Sequence, residues 1–97
     1  MKSPDRQTIS TLESLPNVGK AIAANLRLIN ICHPRDLIGK DPVKLHQQLC
    51  QITGKKIDPC VLDTFMSIVY FMEGGEARPW WSFTDERKSE AKKRAGI

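Results

Sequence analysis

The amino-acid sequence predicts an all-α protein, a compact bundle of four to five short helices. Apolar residues recur at three- and four-residue spacing along most of the chain, and no segment shows the alternation typical of a β-strand. Pairs of a capping residue and a proline mark several helix starts. The 97 residues suffice for one domain and not for two. We therefore expect a single helical domain over residues 1–83, followed by a polar basic helix or tail over 84–97.

The first two helices are predicted from their ends. Ser3 and Pro4 are typical of a helix start, because serine caps the first turn and proline fits its first position. An apolar repeat beginning at Ile9 then predicts a first helix over residues 4–14. A second helix should begin near Gly19 and end at Asn30, which tolerates left-handed backbone. Its apolar face consists of Ile22, Ala23, Leu26 and Ile29.

The middle of the chain repeats these signals. Residues 31–40 predict a connection with one short helical turn, after which Asp41 and Pro42 start a third helix. Gly54 should end that helix, because glycine readily adopts the left-handed conformation of a helix C-cap.

The fourth helix is expected to be the buried centre of the bundle. Asp58 and Pro59 start it, and the glycine pair 74–75 ends it. It is apolar on nearly all sides, with Val61, Leu62, Phe65, Met66, Ile68, Val69 and Met72. A helix this apolar needs a cover, so we expect the aromatic segment 78–83 to fold back onto it. Base stacking is the alternative role for its tryptophans.

The segment 15–23, Leu-Pro-Asn-Val-Gly-Lys-Ala-Ile-Ala, resembles the turn of a helix-hairpin-helix motif, the core of a SAM-like unit, here at about residues 5–29. Asn17 replaces the first glycine of that motif and is the side chain that best tolerates left-handed backbone. Val18 should point into the core, and Ala23 should let the two helices pack closely. Gly19 should permit a tight turn and a close approach by another backbone.

Such a turn predicts a phosphate site. The first backbone N–H groups of a helix have no partner within the helix and lie at the positive end of its dipole. A phosphate group can accept them. Lys20 adds a full positive charge beside them. A purely structural or protein-binding hairpin is the alternative.

Composition and charge favour a soluble protein in the cytoplasm. Hydrophobic residues make up 40% of the chain, and no apolar run reaches the length of a membrane span. The N-terminus lacks the apolar core of a secretory signal. A net charge of +4 is compatible with nucleic-acid binding and is too small to establish it.

Taken together, these segments resemble a family of small bacterial helix-hairpin-helix proteins named for a pathogenicity locus or for mitomycin resistance. The resemblance covers about residues 10–88 and implies the helical fold and a link to DNA. It implies no enzymatic activity. The residues that carry it are Leu15 to Gly19, Leu26 to Leu28, Asp36-Leu37, Asp58 to Asp63, Phe71-Met72, Pro79 to Trp81 and Glu86 to Lys88.

Catalytic and metal chemistry find little support. Cys60 lies in the first turn of the fourth helix, where a thiolate would be favoured, but a small buried core residue is the expected role. His46 and Cys50 share a helix face, and two ligands do not make a metal site. We therefore predict no catalytic residue, no metal and no cofactor.

The sequence thus predicts a non-enzymatic, largely sequence-independent DNA-binding module, and the family resemblance implies a link to DNA repair or damage resistance. The predicted nucleic-acid-binding residues are Asn17, Val18, Gly19, Lys20 and Arg27. Binding should be weak and directed to the DNA backbone, so tighter binding would need a homodimer or a protein partner. The alternative is a protein-interaction adaptor anchored by Trp80 and Trp81.

Overall fold

The computed structural model describes residues 8–95, and they are all-helical, as predicted, with no strand among them. Four α-helices follow one another along the chain: α1 (Lys20–Leu28), α2 (Pro42–Thr53), α3 (Pro59–Met72) and α4 (Thr84–Ala95). Short 3-10 helices at Leu12–Ser14, Pro34–Leu37 and Trp80–Phe83 connect or precede them.

Helix α3 is the centre of the core, as its apolar sequence predicts. It packs against α2, α4 and the 3-10 helices at 34–37 and 80–83. Phe65 and Ile68 on this helix have no exposed surface. The core residues around it are Ile9, Leu12, Leu15, Val18, Ala23, Leu26, Ile29, Ile31, Leu37, Leu45 and Leu49.

The predicted helix ends are confirmed where local chemistry decides them. Asn30 and Gly54 end α1 and α2 with φ of 65° and 66°, in the left-handed region. Asp41 caps α2, and its Oδ1 accepts a hydrogen bond from the Val43 backbone N–H at 2.9 Å. Asp58 precedes α3 as expected, but its side chain caps no N–H group of the described chain.

The predicted first helix over residues 4–14 is wrong for its described part. Residues 4–7 lie outside the described chain, residues 8–11 are not helical, and Leu12–Ser14 form a single 3-10 turn. Thr11 and Ser14 bond to each other through their hydroxyl groups at 2.7 Å, an interaction that competes with a regular helix. Leu15 is extended because it precedes Pro16. The arm before the hairpin turn is therefore a 3-10 turn anchored by buried leucines.

A complete helical hairpin lies later in the chain. Helices α2 and α3 pack against each other and are joined by residues 54–58. Residues 31–54, the segment that follows α1, therefore contain the 3-10 helix at 34–37 and α2, the first helix of this hairpin.

Helix α4 is fastened to α3 through a buried carboxylate. Asp63 is 1% exposed and accepts hydrogen bonds from the Thr84 hydroxyl group at 2.9 Å and from Arg87 Nε. Breaking a buried ion pair of this kind typically costs about 3–5 kcal/mol, since it leaves an uncompensated charge. The start of the C-terminal segment, predicted as a polar helix or tail, is thus held on the core.

Candidate nucleic-acid interface

The turn before α1 owes its shape to Asn17. Its φ is 68°, in the left-handed region that the sequence predicts for this residue. The side-chain Nδ2 donates to Ser67 Oγ at 3.1 Å and to the Arg78 carbonyl oxygen at 2.6 Å. Asn17 therefore faces the protein, where it ties the turn to α3 and to the segment before the aromatic residues.

Val18 and Ala23 have the structural roles that the motif assigns to them. Val18 is 8% exposed and belongs to the core, so it pins the turn from inside. Ala23 is fully buried on the inner face of α1. Asn17 and Val18, two of the predicted binding residues, thus hold the turn in place.

Gly19 is not required by the backbone or by packing. Its φ of −101° and ψ of −170° are extended values that any residue adopts. A Cβ built there would meet no atom of the described chain within 4 Å. The expectation that Gly19 makes the tight turn is wrong, because the left-handed residue is Asn17. The missing side chain instead leaves the start of α1 open to an approaching group.

The first N–H groups of α1 are unoccupied within residues 8–95. Gly19, the N-cap, provides no side-chain cap, and the first helical bond runs from Ala23 N to the Gly19 carbonyl oxygen at 3.0 Å. No acceptor in the described chain bonds the N–H groups of Lys20, Ala21 and Ile22. Lys20 is exposed beside them. An extended cap, free donors and an adjacent cation give this helix start the chemistry of an anion site.

Arg27 lies away from this start, in the last turn of α1. Its Nη2 contacts Glu13 Oε1 at 2.9 Å, and both side chains are about half exposed. The hydrogen bond from Arg27 lowers the pKa of Glu13 below its ordinary value of 4.5. Arg27 is therefore paired with a carboxylate at neutral pH, and the positive charge of Lys20 also lowers the pKa of this carboxyl group.

A polar groove of about 640 Å³ lies at the opposite end of α1, against α2. It includes the cations Lys40 and Lys44. Its other lining residues are Ile29, Asn30, Ile31, Gly39, Asp41, Leu45, Gln47, Gln48 and Gln51. Because these residues surround the C-terminal end of α1, Lys40 and Lys44 lie away from the turn before α1.

The aromatic segment covers α3 with Phe83 rather than with its tryptophans. Phe83 is 2% exposed and packs edge-on to Tyr70, with ring centroids 5.6 Å apart. The Arg78 guanidinium lies 4.1 Å from the Phe83 ring centroid. Trp80 and Trp81 are 37% and 63% exposed. The predicted cover is present, and Trp81 is not part of it.

Trp81 lies beside the hairpin turn, an arrangement that the sequence did not predict. It lines a small crevice of about 200 Å³ together with the turn residues Pro16 and Asn17. Ala77, Arg78 and Pro79 complete the lining. A pair of adjacent tryptophans is a sequence signal for exposed aromatic surface. The position of Trp81 beside the turn could not be predicted, because the hydrogen bond from Asn17 Nδ2 to the Arg78 carbonyl oxygen joins residues far apart in the chain.

The three cysteines lie apart from one another along the chain and differ in exposure. Cys60 is exposed, so the prediction that it packs in the core is wrong. Cys50 Sγ lies 3.9 Å from His46 Nδ1, and His46 Nε2 is 3.2 Å from the Ile57 carbonyl oxygen. Within the described residues, no three His, Cys, Asp or Glu side chains are grouped as metal ligands. No helix in that part of the chain has the length and apolar character to cross a membrane.

In the comparison with known proteins, a family model and a related protein each match most of this chain. Residues 5–89 match the model of the Cdd1 family, described as pathogenicity locus. The chain is also 44% identical over 79 residues to mitomycin resistance protein McrB of Streptomyces lavendulae, a match that covers 81% of this chain and 75% of that protein. No solved structure matches the chain significantly.

Proposed function

The chain belongs to the Cdd1 pathogenicity-locus family, and we propose that it is a non-enzymatic DNA-binding module with a role in damage resistance. The start of α1 would hold a backbone phosphate, and binding would be largely independent of base sequence. Similarity to a mitomycin resistance protein supports the link to damage resistance. The chemistry of the turn supports the DNA ligand.

One observation carries this proposal: Gly19 has no side chain that could cap α1, and the first N–H groups of this helix have no acceptor within residues 8–95. Serine, asparagine or aspartate at this position would bond the free N–H groups and stabilise α1. The fold offers no reason against such a residue, because φ is ordinary and the space around Gly19 is empty within the described chain. An external acceptor explains why the donors are left free.

The expected affinity is low. One helix start and Lys20 provide few phosphate contacts, and Arg27 is neutralised by Glu13. Such a site should bind in the non-specific range of about 10⁻⁴–10⁻⁶ M at physiological salt. Each phosphate contact should steepen the salt dependence by about 0.9 in log K against log salt on duplex DNA.

Substitutions at Gly19 test DNA binding, and their effect on folding is measured separately. Gly19→Ser adds a neutral cap that occupies the N–H donors, and Gly19→Asp adds a charged one. Both should leave the free energy of unfolding unchanged or raise it by a few tenths of a kcal/mol. We expect DNA affinity, measured by fluorescence anisotropy with a labelled duplex at low salt, to fall severalfold for Gly19→Ser and at least about tenfold for Gly19→Asp.

Ala24→Glu is the matched control, because it adds the same negative charge to an exposed position further along α1. It should reduce affinity by less than Gly19→Asp, because a side chain more than one turn further along α1 does not reach the N–H donors at the helix start. Unchanged affinity in both Gly19 variants would contradict the proposal. If Gly19→Asp lowers DNA affinity no more than Ala24→Glu does, the loss comes from the added negative charge and not from occupation of the N–H donors of α1.

The protein-interaction adaptor is the second candidate, and the exposure of Trp81 favours it. A large aromatic side chain that is 63% exposed beside a crevice suits a binding hot spot. A folded protein that fails to bind duplex, single-stranded and branched DNA at low salt would support this candidate over the first.

A further inference from the structure

We propose that the crevice at Trp81 accepts one unpaired nucleobase, so that the protein prefers DNA with single-stranded positions over intact duplex. This inference rests on the proposed DNA function and adds the form of DNA that is recognised. The crevice is formed where the turn residues Pro16 and Asn17 meet the segment 77–81. The base would stack on the Trp81 ring.

The size of the crevice suits a single ring system. Its volume of about 200 Å³ is below the roughly 300–1,000 Å³ of pockets that hold complete cofactors or drug-sized ligands. The two prolines and Ala77 give it apolar walls, which suit the flat faces of a heteroaromatic ring.

The Trp81 ring is available for stacking because the core does not use it. Phe83 covers α3, while Trp81 remains mostly exposed. Trp80 packs edge-on against Trp81, with ring centroids 5.9 Å apart and an angle of 87° between the planes. Such a contact supports the orientation of the ring and leaves a face free to stack on a base.

The side-chain N–H groups of Asn17 and Arg78 at the crevice already donate hydrogen bonds within the protein. Asn17 Nδ2 donates to Ser67 and to the Arg78 carbonyl oxygen. The Arg78 guanidinium bonds Ser82 and Glu86 and lies over Phe83. They are not poised to read base edges, so recognition should rest on stacking and tolerate any base, which agrees with sequence-independent binding.

Continuity with the phosphate site favours a nucleotide over an apolar peptide side chain. Asn17 lines the crevice and is followed, two and three residues later, by Gly19 and Lys20 at the start of α1. Lys20 supplies the exposed cation beside the two sites, since the Arg78 guanidinium is paired with Glu86 at 3.2 Å. A nucleotide joins in one unit the anion and the aromatic ring that these two adjacent sites suit.

Intact duplex cannot supply such a base without cost. Its bases are stacked and paired, and extruding one costs a few kcal/mol, whereas bases in gaps, loops and single strands are already free. The preference for single-stranded over duplex DNA should therefore depend on Trp81, while phosphate binding at α1 serves both forms.

The experiment uses the full chain with Trp80→Phe, which leaves Trp81 as the remaining tryptophan of the two. Deoxyadenosine, which carries no phosphate, and a thymidine oligonucleotide are titrated while Trp81 fluorescence is recorded. N-acetyltryptophanamide serves as the control for collisional quenching. We expect saturable quenching of Trp81 by both probes and a linear, weaker response of the control.

Anisotropy then measures the ratio of single-strand to duplex affinity. Trp81→Ala should lower this ratio roughly 5- to 100-fold, which corresponds to the loss of one stacked base. Trp81→Phe should retain most of the preference, because it keeps an aromatic face. Since Trp81 is exposed, unfolding curves should show that both variants fold.

The outcomes separate this inference from the function on which it rests. Quenching by deoxyadenosine together with no effect of Gly19→Asp on DNA affinity would support the base site and remove the phosphate site. A strong Gly19→Asp effect with an unchanged ratio in Trp81→Ala would overturn the base site alone. A Trp81 that responds to acrylamide but to neither nucleoside nor oligonucleotide would also overturn it and leave the ring to a protein partner.

Discussion

The turns that lead into α1 and α3 each contain one left-handed residue, Asn17 or Gly54, and they differ in chemistry. Residues 15–19 lead into α1, and residues 54–58 lead into α3. In each, an apolar residue next to the N-cap, Val18 or Ile57, packs against the core. Neither N-cap residue forms a side-chain cap within the described chain.

The difference lies in two residues at the helix start. Gly19 and Lys20 give α1 free N–H donors and a cation, whereas Asp58 and Pro59 give α3 a carboxylate and a first position without an N–H group. A phosphate would therefore be attracted to the first start and repelled from the second. The comparison teaches that, under the proposed function, the residues at the N-cap and at the first helical position decide which helix start suits an anion.

The turns also differ in how they are held. The first is tied by the Asn17 side chain to Ser67 and Arg78, which are distant in the sequence. The second is supported by His46, whose Nε2 contacts the Ile57 carbonyl oxygen at 3.2 Å. The shape of the first turn therefore depends on a single side chain with two partners.

The largest expected effect comes from removing that side chain. Asn17→Ala should lower the free energy of unfolding by about 2–4 kcal/mol, because alanine disfavours left-handed backbone and two hydrogen bonds are lost. Asn17→Gly keeps the backbone freedom and should cost about 1 kcal/mol less. Urea unfolding measures both. Equal costs would show that the left-handed conformation is not what asparagine supplies.

The same substitution in the two turns should have opposite effects on stability. Gly54→Ser should lower the free energy of unfolding by about 1–2 kcal/mol, because Gly54 has a φ of 66°. Gly19→Ser should raise it by a few tenths of a kcal/mol, because serine caps α1 at an ordinary φ. Thermal or urea unfolding compares the pair. A destabilised Gly19→Ser variant would show that the fold itself needs this glycine.

Charge reversal compares the turns as DNA sites. Lys20→Glu should lower duplex affinity about five- to tenfold, because it places a carboxylate beside the free N–H groups. Lys55→Glu combined with Lys56→Glu changes twice the charge in the second turn and should cost less. Anisotropy at two salt concentrations measures both variants. A larger loss in the double variant would show that net charge, rather than the start of α1, governs binding.

The smallest expected effect concerns the ion pair next to the first turn. Glu13 should titrate below 4.5 because Arg27 bonds its ionised form. The contribution of the pair to stability is therefore present above the ordinary pKa and is lost as the pH falls through the lowered one. NMR titration of the Glu13 carboxyl group measures this, and Arg27→Gln should return its pKa towards 4.5. An unchanged pKa in Arg27→Gln would exclude the pair in solution.

Much of the fold could be predicted because its signals are local. The starts of α2 and α3 follow from an aspartate–proline pair, and Asn30 and Gly54 end helices through their own backbone preference. The prediction of a first helix over residues 4–14 was wrong for a local reason as well. Hydroxyl side chains and Pro16 favour a 3-10 turn and an extended residue over a regular helix.

The candidate site could be predicted only in part. The motif correctly indicated that Val18 is buried and that Asn17 is left-handed. It misjudged Gly19, whose role depends on the empty space around it rather than on its own conformation. It also grouped Arg27 with the turn, although a carboxylate from before the turn engages that side chain.

The sequence by itself determined the helical class, the ends of α1 and α2, the starts of α2 and α3, and the open cap of α1, because each depends on the conformational preferences and hydrogen-bonding groups of neighbouring residues. The tertiary structure decided which face each side chain presents. It bound Asn17 to Ser67 and Arg78, buried Phe83 in place of the tryptophans, and left Trp81 beside the turn. Those placements come from packing between residues far apart in the chain, which no local pattern encodes.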